Sequence, residues 1–438
     1  MISHLISEER REMKIYKSFC CSLLLFFAGT LSTMAQTDVD SVAEFQADST
    51  AVDPFADADT LNVDTVPPAL PWEQQVSMKL DKLLKNKMFE TSQVGLMVYD
   101  LTADSAIYCY NHRHRMRPAS TMKLVTAVTA LDKLGGSYQF KTSLLYTGKI
   151  ENNTLRGDVY CVGGFDPRFN NDDMRAFVES LHKMGVDTIR GRLVADLTMK
   201  DDKLYGEGWC WDDDNNVLTP LLIGGKDRFM ERFEEELRKD GVVLDCQRTT
   251  GRCPSQANAV CTRFHTMDQI LMKMMKESDN LYAESMLYQI AASSGNRPAS
   301  AASARAITKK LITRIGLHAD DYKIADGSGL SLYNYVSPEL EVALLRFAFH
   351  NDNIYLHLLP ALPIAGQDGT LKKRMKGPFT QGNVRAKTGT LTGITSLAGY
   401  CLAANGHRLC FAIINQSELR LSNGRAFQDK VCTVLCEP

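Results

Sequence analysis

A serine and a lysine three residues apart are the first residues in this sequence whose types and spacing suggest chemistry. Ser120 and Lys123 lie in residues 117–126, where Pro118 suits the first turn of a helix. Residues three apart are neighbours on a helix surface, so the lysine amine can reach the serine hydroxyl. A serine hydroxyl is a poor nucleophile until a base removes its proton, and a lysine is such a base only where its pKa is lowered. The pattern therefore predicts a nucleophilic serine.

The Ser-x-x-Lys spacing is weak evidence by itself, since average composition yields about one or two chance copies in a chain of this length. A second copy, Ser180 with Lys183, ends an amphipathic segment predicted to be a helix over residues 172–184. Gly185 follows it, as at a helix C-terminus. We interpret this second copy as part of a solvated helix face.

Two further motifs make the first one specific. Ser278-Asp279-Asn280 lies in a predicted long helix over residues 267–292, and Lys387-Thr388-Gly389 lies in a predicted strand over residues 384–390. Another Ser-x-Asn occurs at residues 294–296, so each motif alone is weak. All three in this order are typical of penicillin-binding proteins and class A β-lactamases.

The chain resembles the D-alanyl-D-alanine carboxypeptidase/endopeptidase family of the class C, penicillin-binding protein 4 type. The resemblance covers most of residues 90–418. It is carried by Arg117-Pro118-Ala119-Ser120-Thr121-Met122-Lys123, Gly157-Asp158-Val159, Phe165-Asp166-Pro167, Gly208-Trp209-Cys210-Trp211-Asp212-Asp213, Lys276-Glu277-Ser278-Asp279-Asn280-Leu281, Ala325-Asp326-Gly327-Ser328-Gly329-Leu330-Ser331 and Ala386-Lys387-Thr388-Gly389-Thr390.

The resemblance implies an α/β (α+β) fold, a DD-peptidase/β-lactamase-like three-layer α-β-α sandwich with an antiparallel sheet and a helical half. An inserted domain interrupts it, so we expect a first part at residues 71–136, the insertion at 137–261 and a second part at 262–438. Full-length family members carry a longer insertion, often two extra domains. Here few residues separate Asp214 from the next predicted helix, which leaves room for one inserted domain. Class A β-lactamases resemble the chain less well, because they lack such an insertion.

The family implies an acyl-serine enzyme that trims peptidoglycan stem peptides ending in D-Ala-D-Ala and is acylated by β-lactam antibiotics, with no metal or cofactor. Whether carboxypeptidase or endopeptidase activity dominates stays open, and the alternatives are a β-lactamase or a catalytically silent binding module. By resemblance, the catalytic residues are Ser120, Lys123 and Ser278. The substrate-binding residues are Asn280, Lys387, Thr388, Thr390 and Asp213.

Each of these residues has an expected role. Ser120 is the nucleophile, Lys123 is its base, kept neutral by burial and by the Lys387 cation, and Ser278 relays a proton to the leaving amine. Asn280 is expected to bind the substrate amide, and Lys387 with Thr388 the terminal carboxylate. The N–H groups of Ser120 and Thr390 are expected to hold the oxyanion.

Asp213 belongs to an unusual segment of aromatic and acidic residues, 208–214. One interpretation is a tryptophan pair that fills a small core, followed by a solvated acidic loop. The resemblance instead implies that Asp213 recognises the side-chain end of the diamino acid in the stem peptide.

The first 70 residues indicate that the protein is exported, and we do not expect them to form part of a folded domain. Residues 1–35 read as a signal peptide, with a basic start, an apolar run and a small-residue cleavage site, and translation is expected to start at Met13. Residues 36–70 contain eight acidic residues and no lysine or arginine, so we expect a disordered linker. The expected location is the periplasm or cell envelope, with no stable membrane anchor after cleavage. The net charge of -2 does not indicate a nucleic-acid binder.

Asn405-Gly406 predicts a two-residue hairpin turn between strands at residues 396–403 and 408–414. That register places Cys401 opposite Cys410, as a disulfide or as two small apolar residues side by side on a core face. The chain has twelve cysteines and no Cys-x-x-Cys pair.

Other strands are expected at residues 93–100, 106–110, 141–146, 154–162 and 188–195, and other helices at 228–239, 338–350 and 422–436.

Overall fold

The computed structural model of the chain describes residues 70–210 and 215–438. The predicted signal peptide, the start at Met13, almost all of the predicted linker and Asp213 lie outside these residues. The strands are β1 (Gln93–Asp100), β2 (Ser105–Tyr110), β3 (Gln139–Tyr146), β4 (Lys149–Glu151), β5 (Thr154–Arg156), β6 (Val159–Val162), β7 (Thr188–Asp196), β8 (Val243–Thr250), β9 (Asn258–Thr266), β10 (Arg385–Leu391), β11 (Ile394–Leu402) and β12 (Arg408–Gln416).

The α-helices run from the start of the described chain to its C-terminus. They are α1 (Trp72–Leu84), α2 (Met122–Leu134), α3 (Asn171–Lys183), α4 (Phe229–Lys239), α5 (Met267–Lys276), α6 (Asn280–Ala292), α7 (Ala301–Arg314), α8 (Pro338–Phe349), α9 (Asp352–Ala361) and α10 (Leu421–Cys436). Within the described parts of the chain, no helix is both long and apolar enough to span a membrane.

A five-stranded antiparallel sheet in the order β10-β11-β12-β1-β2 lies between two hydrophobic cores. Successive residues of a strand point to opposite faces, so one sheet contributes to two cores. Ala412 and Ile414 pack with α2, α5, α6, α7, α8 and α9 on one face. Phe411 and Ile413 pack with α1 and α10 on the other. This confirms the predicted three-layer α-β-α sandwich with a helical half.

A second sheet has seven strands. Six of them follow the order β4-β5-β7-β6-β3-β9, and the seventh, β8, also pairs with β7. Its strands run from Gln139 to Thr266, and α3 and α4 pack against one of its faces. The strand predicted over residues 154–162 is wrong in one respect, because it is divided into β5 and β6 at Gly157. A Cβ at Gly157 would lie 1.9 Å from the Thr147 carbonyl oxygen, so the close crossing requires glycine. The boundaries 137–261 for an inserted domain stay a prediction.

The single long helix predicted over residues 267–292 is wrong. The structure has two helices, α5 and α6, with a break at residues 277–279. Ser278 adopts a positive φ of 64°, which ends the helical path, and the Asp279 carboxylate caps the new helix by accepting from the Tyr282 amide at 3.2 Å. Next to this break, Ser278 and Asn280 each contact a buried lysine, Lys387 and Lys123 respectively.

The predicted hairpin register is also wrong. Leu402 pairs with Arg408, and the Ala403 amide donates to the His407 carbonyl, so three residues rather than two form the loop. Cys401 therefore lies opposite Leu409 and Cys410 opposite Tyr400. A one-residue shift moves a side chain to the other face of a sheet. Cys401 and Cys410 accordingly pack in different cores, which rules out both their disulfide and their side-by-side packing.

Glu341 of α8 is a fully buried carboxyl group in the helical half. Neither of its side-chain oxygens has a hydrogen-bond partner in the described chain. Burial raises the pKa of Glu341 to about 8. The side chain is therefore a neutral acid at pH 7.

We expect Glu341→Gln to stabilise the fold, by an amount that grows as the pH rises from about 5 to 8. Over this range the unfolded chain has lost the Glu341 proton and the folded chain retains it, so wild-type stability falls by about 1.4 kcal/mol per pH unit from this group. Urea unfolding of both proteins at several pH values measures the difference. The control is Glu339→Gln in the same helix, a half-buried carboxylate that forms an ion pair with Arg113. Parallel stability profiles for wild type and Glu341→Gln would contradict the prediction.

Candidate active site

The Ser120 side chain is presented by a tight turn at the start of α2. Residues Ala119–Thr121 form one 3-10 turn that leads into the helix, so the helix proper begins later than Pro118. Ala119 has a positive φ of 49°, an uncommon conformation that turns Ser120 outward. The Thr121 hydroxyl donates to the Pro118 carbonyl at 2.8 Å and closes the turn. Ser120 is half-buried.

Lys123 lies in the first turn of α2 and is fully buried. Its Nζ donates to Ser120 Oγ at 2.9 Å, to Asn280 Oδ1 at 2.8 Å and to the Ser328 carbonyl at 2.9 Å. These acceptors come from three separate segments of the chain. The lysine therefore fixes the nucleophile, the start of α6 and the 326–329 turn against one another.

A second lysine, Lys387, makes a similar pair with Ser278. Lys387 of β10 is also fully buried, and its Nζ donates to Ser278 Oγ at 2.8 Å and to the Thr388 carbonyl at 2.7 Å. The Thr388 hydroxyl donates to Thr370 Oγ1 at 2.7 Å. The site thus contains two serine–lysine pairs, one on α2 and one between the α5–α6 break and β10.

Gly389 allows β10 to approach the nucleophile turn. A Cβ at this position would lie 2.1 Å from Ser396 Oγ and 2.9 Å from the Ser120 amide nitrogen. The next residue, Thr390, is exposed at the mouth of the site, and Arg425 donates to its hydroxyl at 3.4 Å. The backbone amides of Ser120 and Thr390 therefore belong to adjacent segments.

Burial shifts the pKa values of both lysines downward. It lowers the pKa of Lys123 to about 8, against the opposing effect of the carboxylates of Asp326, Glu284 and Asp279. Burial lowers the pKa of Lys387 well below its ordinary value, and the charge of Lys123 lowers it further. Burial thus favours the expected neutral state of Lys123, but the expected contribution of a Lys387 cation is wrong, because burial also lowers the pKa of Lys387. A lysine with such a pKa can accept a proton from a serine near neutral pH.

Two buried carboxylates behind Lys123 were not identified from the sequence. Glu284 of α6 accepts the Gly327 and Ser328 amides at 2.9 and 2.8 Å, which orients the Ser328 carbonyl toward the lysine. Asp326 accepts the Gly329 amide and the Trp209 indole N–H, both at 2.8 Å. The segment with Asp326 was one of the motifs that carry the family resemblance, but no role was assigned to Asp326, and Glu284 gave no signal within an apolar helix.

The structure brings together most of the residues selected from the sequence. Ser120, Lys123 and Asn280 form one hydrogen-bonded group, and Ser278, Lys387 and Thr388 form a second. Thr390 lies at the edge of the site, and Asp213 lies outside the described residues. Ser180 of the second Ser-x-x-Lys copy donates to the Ala176 carbonyl within α3, and Lys183 is exposed, as expected for a solvated helix face.

Comparison with known proteins gives a consistent result. Residues 76–222 and 224–435 match the family described as D-Ala-D-Ala carboxypeptidase 3 (S13). The chain is 27% identical over 413 residues to D-alanyl-D-alanine carboxypeptidase DacB of Haemophilus influenzae, covering 75% of this chain and 86% of that protein. It is 25% identical over 436 residues to a D-alanyl-D-alanine carboxypeptidase of Actinomadura sp., covering 77% and 80% of the two chains.

Solved structures agree. The crystal structure of penicillin binding protein 4 from Haemophilus influenzae matches with a TM-score of 0.76 at 25% identity, over 82% of this chain and 99% of that one. The structure of the same protein with a novel β-lactam matches with a TM-score of 0.70 at 25% identity, over 82% and 100% of the two chains.

The pH dependence of Ser120 reactivity follows from the lowered pKa of Lys123. With a neutral serine-reactive fluorophosphonate, we expect the modification rate to rise about tenfold per pH unit below pH 8 and to level off above it, because only the unprotonated amine accepts the serine proton. Stopped reactions analysed by mass spectrometry measure the rate. Lys123→Arg is the control, since arginine stays protonated. A rate that is constant from pH 6 to 9 would contradict the assignment of Lys123 as the base.

Proposed function

The chain belongs to the D-Ala-D-Ala carboxypeptidase 3 (S13) family and is a serine-type D-Ala-D-Ala carboxypeptidase, a cell-wall hydrolase, and we propose that it works through an acyl-enzyme on Ser120. The observation that carries this mechanism is the hydrogen bond between Lys123 Nζ and Ser120 Oγ inside a fully buried lysine environment. A nucleophile held by a base of lowered pKa is what acyl transfer to serine requires.

Acylation begins when neutral Lys123 takes the proton of Ser120 Oγ. The oxygen attacks the carbonyl carbon of the bond between the two D-alanine residues, and the carbonyl electrons move to the oxygen. We expect the backbone N–H groups of Ser120 and Thr390 to stabilise this oxyanion, because Gly389, the residue before Thr390, lets β10 approach the Ser120 amide.

Collapse of the tetrahedral intermediate releases the terminal D-alanine. Its amine leaves with a proton from the Ser278 hydroxyl, which Lys387 Nζ contacts at 2.8 Å. The proton that Lys123 took from Ser120 replaces the one that Ser278 gave, so the serine proton leaves with D-alanine and Lys123 is a free base again. Water then attacks the ester carbonyl and gives a proton to neutral Lys123, which passes it to Ser120 Oγ as the ester bond breaks.

Substrate recognition uses the remaining groups of the site. Lys387 and Thr388 bind the terminal carboxylate, which would also restore the lysine's positive charge by a charge-assisted contact. Asn280 directs its Oδ1 to Lys123, which leaves the amide NH₂ to donate to the substrate backbone.

A β-lactam ring presents a strained amide together with a carboxylate, so it fits the same groups and acylates Ser120. We therefore propose penicillin sensitivity, in agreement with the β-lactam complex of the Haemophilus influenzae protein. The proposed location is the periplasm or cell envelope, where the peptidoglycan substrate lies.

Ser120→Ala is expected to abolish labelling by a fluorescent penicillin and release of D-alanine from a D-Ala-D-Ala peptide, while the fold is retained. The matched control is Ser180→Ala, in the other Ser-x-x-Lys copy, which should behave as wild type. Gel fluorescence and a D-alanine assay read the two activities. Labelling of Ser120→Ala at the wild-type level would refute the nucleophile. Rapid release of the bound penicillin by wild type would instead indicate a β-lactamase.

Asp213 is proposed to pair with the ammonium group of the diamino acid in the stem peptide. Asp213→Ala should then slow hydrolysis of peptides with the free diamino acid and leave penicillin acylation unchanged, because remote binding energy contributes to rate. Asp214→Ala is the neighbouring control. Equal slowing of both reactions in Asp213→Ala would show a structural role and contradict the assignment.

A further inference from the structure

Among the described residues, helices α3 and α4 pack against one face of the seven-stranded sheet. Leu144 and Cys161 belong to the core that α3 and α4 close. The alternate positions on β3, β6 and β7 point to the opposite face, where Lys141, Ser143 and Asp196 lie. This second face is a groove rather than a packed layer.

Two adjoining cavities of about 610 and 500 Å³ form the groove. They share Ser143, Val162, Asp196 and Arg297 in their linings, so they are continuous. Lys141 lines the first cavity and Arg252 the second. We name this feature the basic groove and define it by Lys141, Ser143, Val162, Asp196, Arg252 and Arg297.

The charges of the basic groove are unbalanced. Lys141, Arg252 and Arg297 are exposed, and none of them forms an ion pair within the described residues. Asp196, the acid that lines both cavities, is 3% exposed and accepts from the Thr198 amide, the Thr198 hydroxyl and the Cys253 amide at 2.9, 2.7 and 2.7 Å. Its oxygens are therefore engaged, and the groove presents an excess of positive charge to an anionic ligand.

Helix α6 relates the basic groove to the active site. Asn280 begins this helix at Lys123, and Gln289 and Ser293 near its other end line the groove. At 1.5 Å per residue, the two places are roughly 14–20 Å apart along the helix. An extended peptide of five residues spans at most about 17 Å. A stem peptide whose end lies at Ser120 is therefore barely long enough to reach the groove. A ligand there is a different part of the polymer.

We propose that the basic groove binds an anionic glycopeptide strand of peptidoglycan next to the strand whose stem peptide is being cleaved. The carboxylates of the neighbouring stem peptides are the groups that Lys141, Arg252 and Arg297 contact. The groove thereby holds the enzyme on its polymeric substrate and contributes nothing to the hydrolysis of a short soluble peptide. This inference rests on the proposed function, because it takes peptidoglycan as the substrate.

Binding is tested with the inactive Ser120→Ala protein and purified insoluble peptidoglycan in a sedimentation assay at low salt. The groove variant combines Lys141→Gln, Arg252→Gln and Arg297→Gln. The control variant combines Lys149→Gln, Arg156→Gln and Lys183→Gln, three exposed cations of the same sheet and its covering helix. We expect the groove variant to bind roughly five- to tenfold more weakly, as three modest exposed ion pairs allow, and the control to bind as the parent does. Equal loss in both variants, or none in either, would overturn the proposal.

Activity measurements distinguish a failure of this inference from a failure of the proposed function. With active protein, the groove substitutions should raise KM for peptidoglycan and leave kcat, soluble-peptide hydrolysis and penicillin labelling unchanged. A wild-type protein that fails to hydrolyse the soluble peptide would refute the proposed function, while the sedimentation assay still tests the groove. Inorganic polyphosphate that binds the parent as tightly as peptidoglycan does, with the same loss in the groove variant, would show a general polyanion site and overturn the assignment to glycopeptide.

Discussion

Burial of the Lys123 ammonium group is the constraint on which the rest of the site depends. A lysine amine without water needs acceptors for its protons, and Lys123 has three: Ser120 Oγ, Asn280 Oδ1 and the Ser328 carbonyl. Satisfying them requires the nucleophile turn, the first residue of α6 and the 326–329 turn to meet at one point. The same burial lowers the pKa of the amine to about 8, which makes the group reactive. One environment thus both orders the site and activates the serine.

The carboxylates behind the lysine limit this effect. Glu284 and Asp326 hold the 326–329 turn through backbone amides, and the Asp326 charge opposes the loss of the Lys123 proton. Burial raises the pKa of Glu284 itself to about 8. Lys387 is also fully buried, and its pKa is lowered by burial and by Lys123, with no carboxylate of the described residues acting against that shift. In the proposed mechanism, the substrate carboxylate supplies a negative charge beside Lys387. This asymmetry is consistent with a base role for Lys123 and a binding role for Lys387.

The sequence predicted much of this arrangement, because three motifs in fixed order identify residues whose spacing along the chain is unrelated to their distance in space. It failed where local patterns mislead. The apolar period continues through residues 267–292, so the break at Ser278 was hidden, although a positive φ there is what aims the hydroxyl at Lys387. Asn405-Gly406 favours a two-residue turn, and the actual three-residue loop placed Cys401 and Cys410 on opposite faces. Glu284 could not be recognised, because the need for a buried carboxylate arises only from the turn it supports.

The central claim, a buried and readily deprotonated Lys123, is tested most directly by titrating that amine. Protein labelled with ¹³C at the lysine Cε positions gives NMR signals whose shifts report protonation, and comparison with Lys123→Met and Lys387→Met assigns the two buried lysines. The account predicts that the Lys123 signal titrates with a midpoint near pH 8, well below the ordinary lysine value of 10.5. A midpoint at or above 10.5 would show that the amine is a cation throughout the working range, and Lys123 would not be the base.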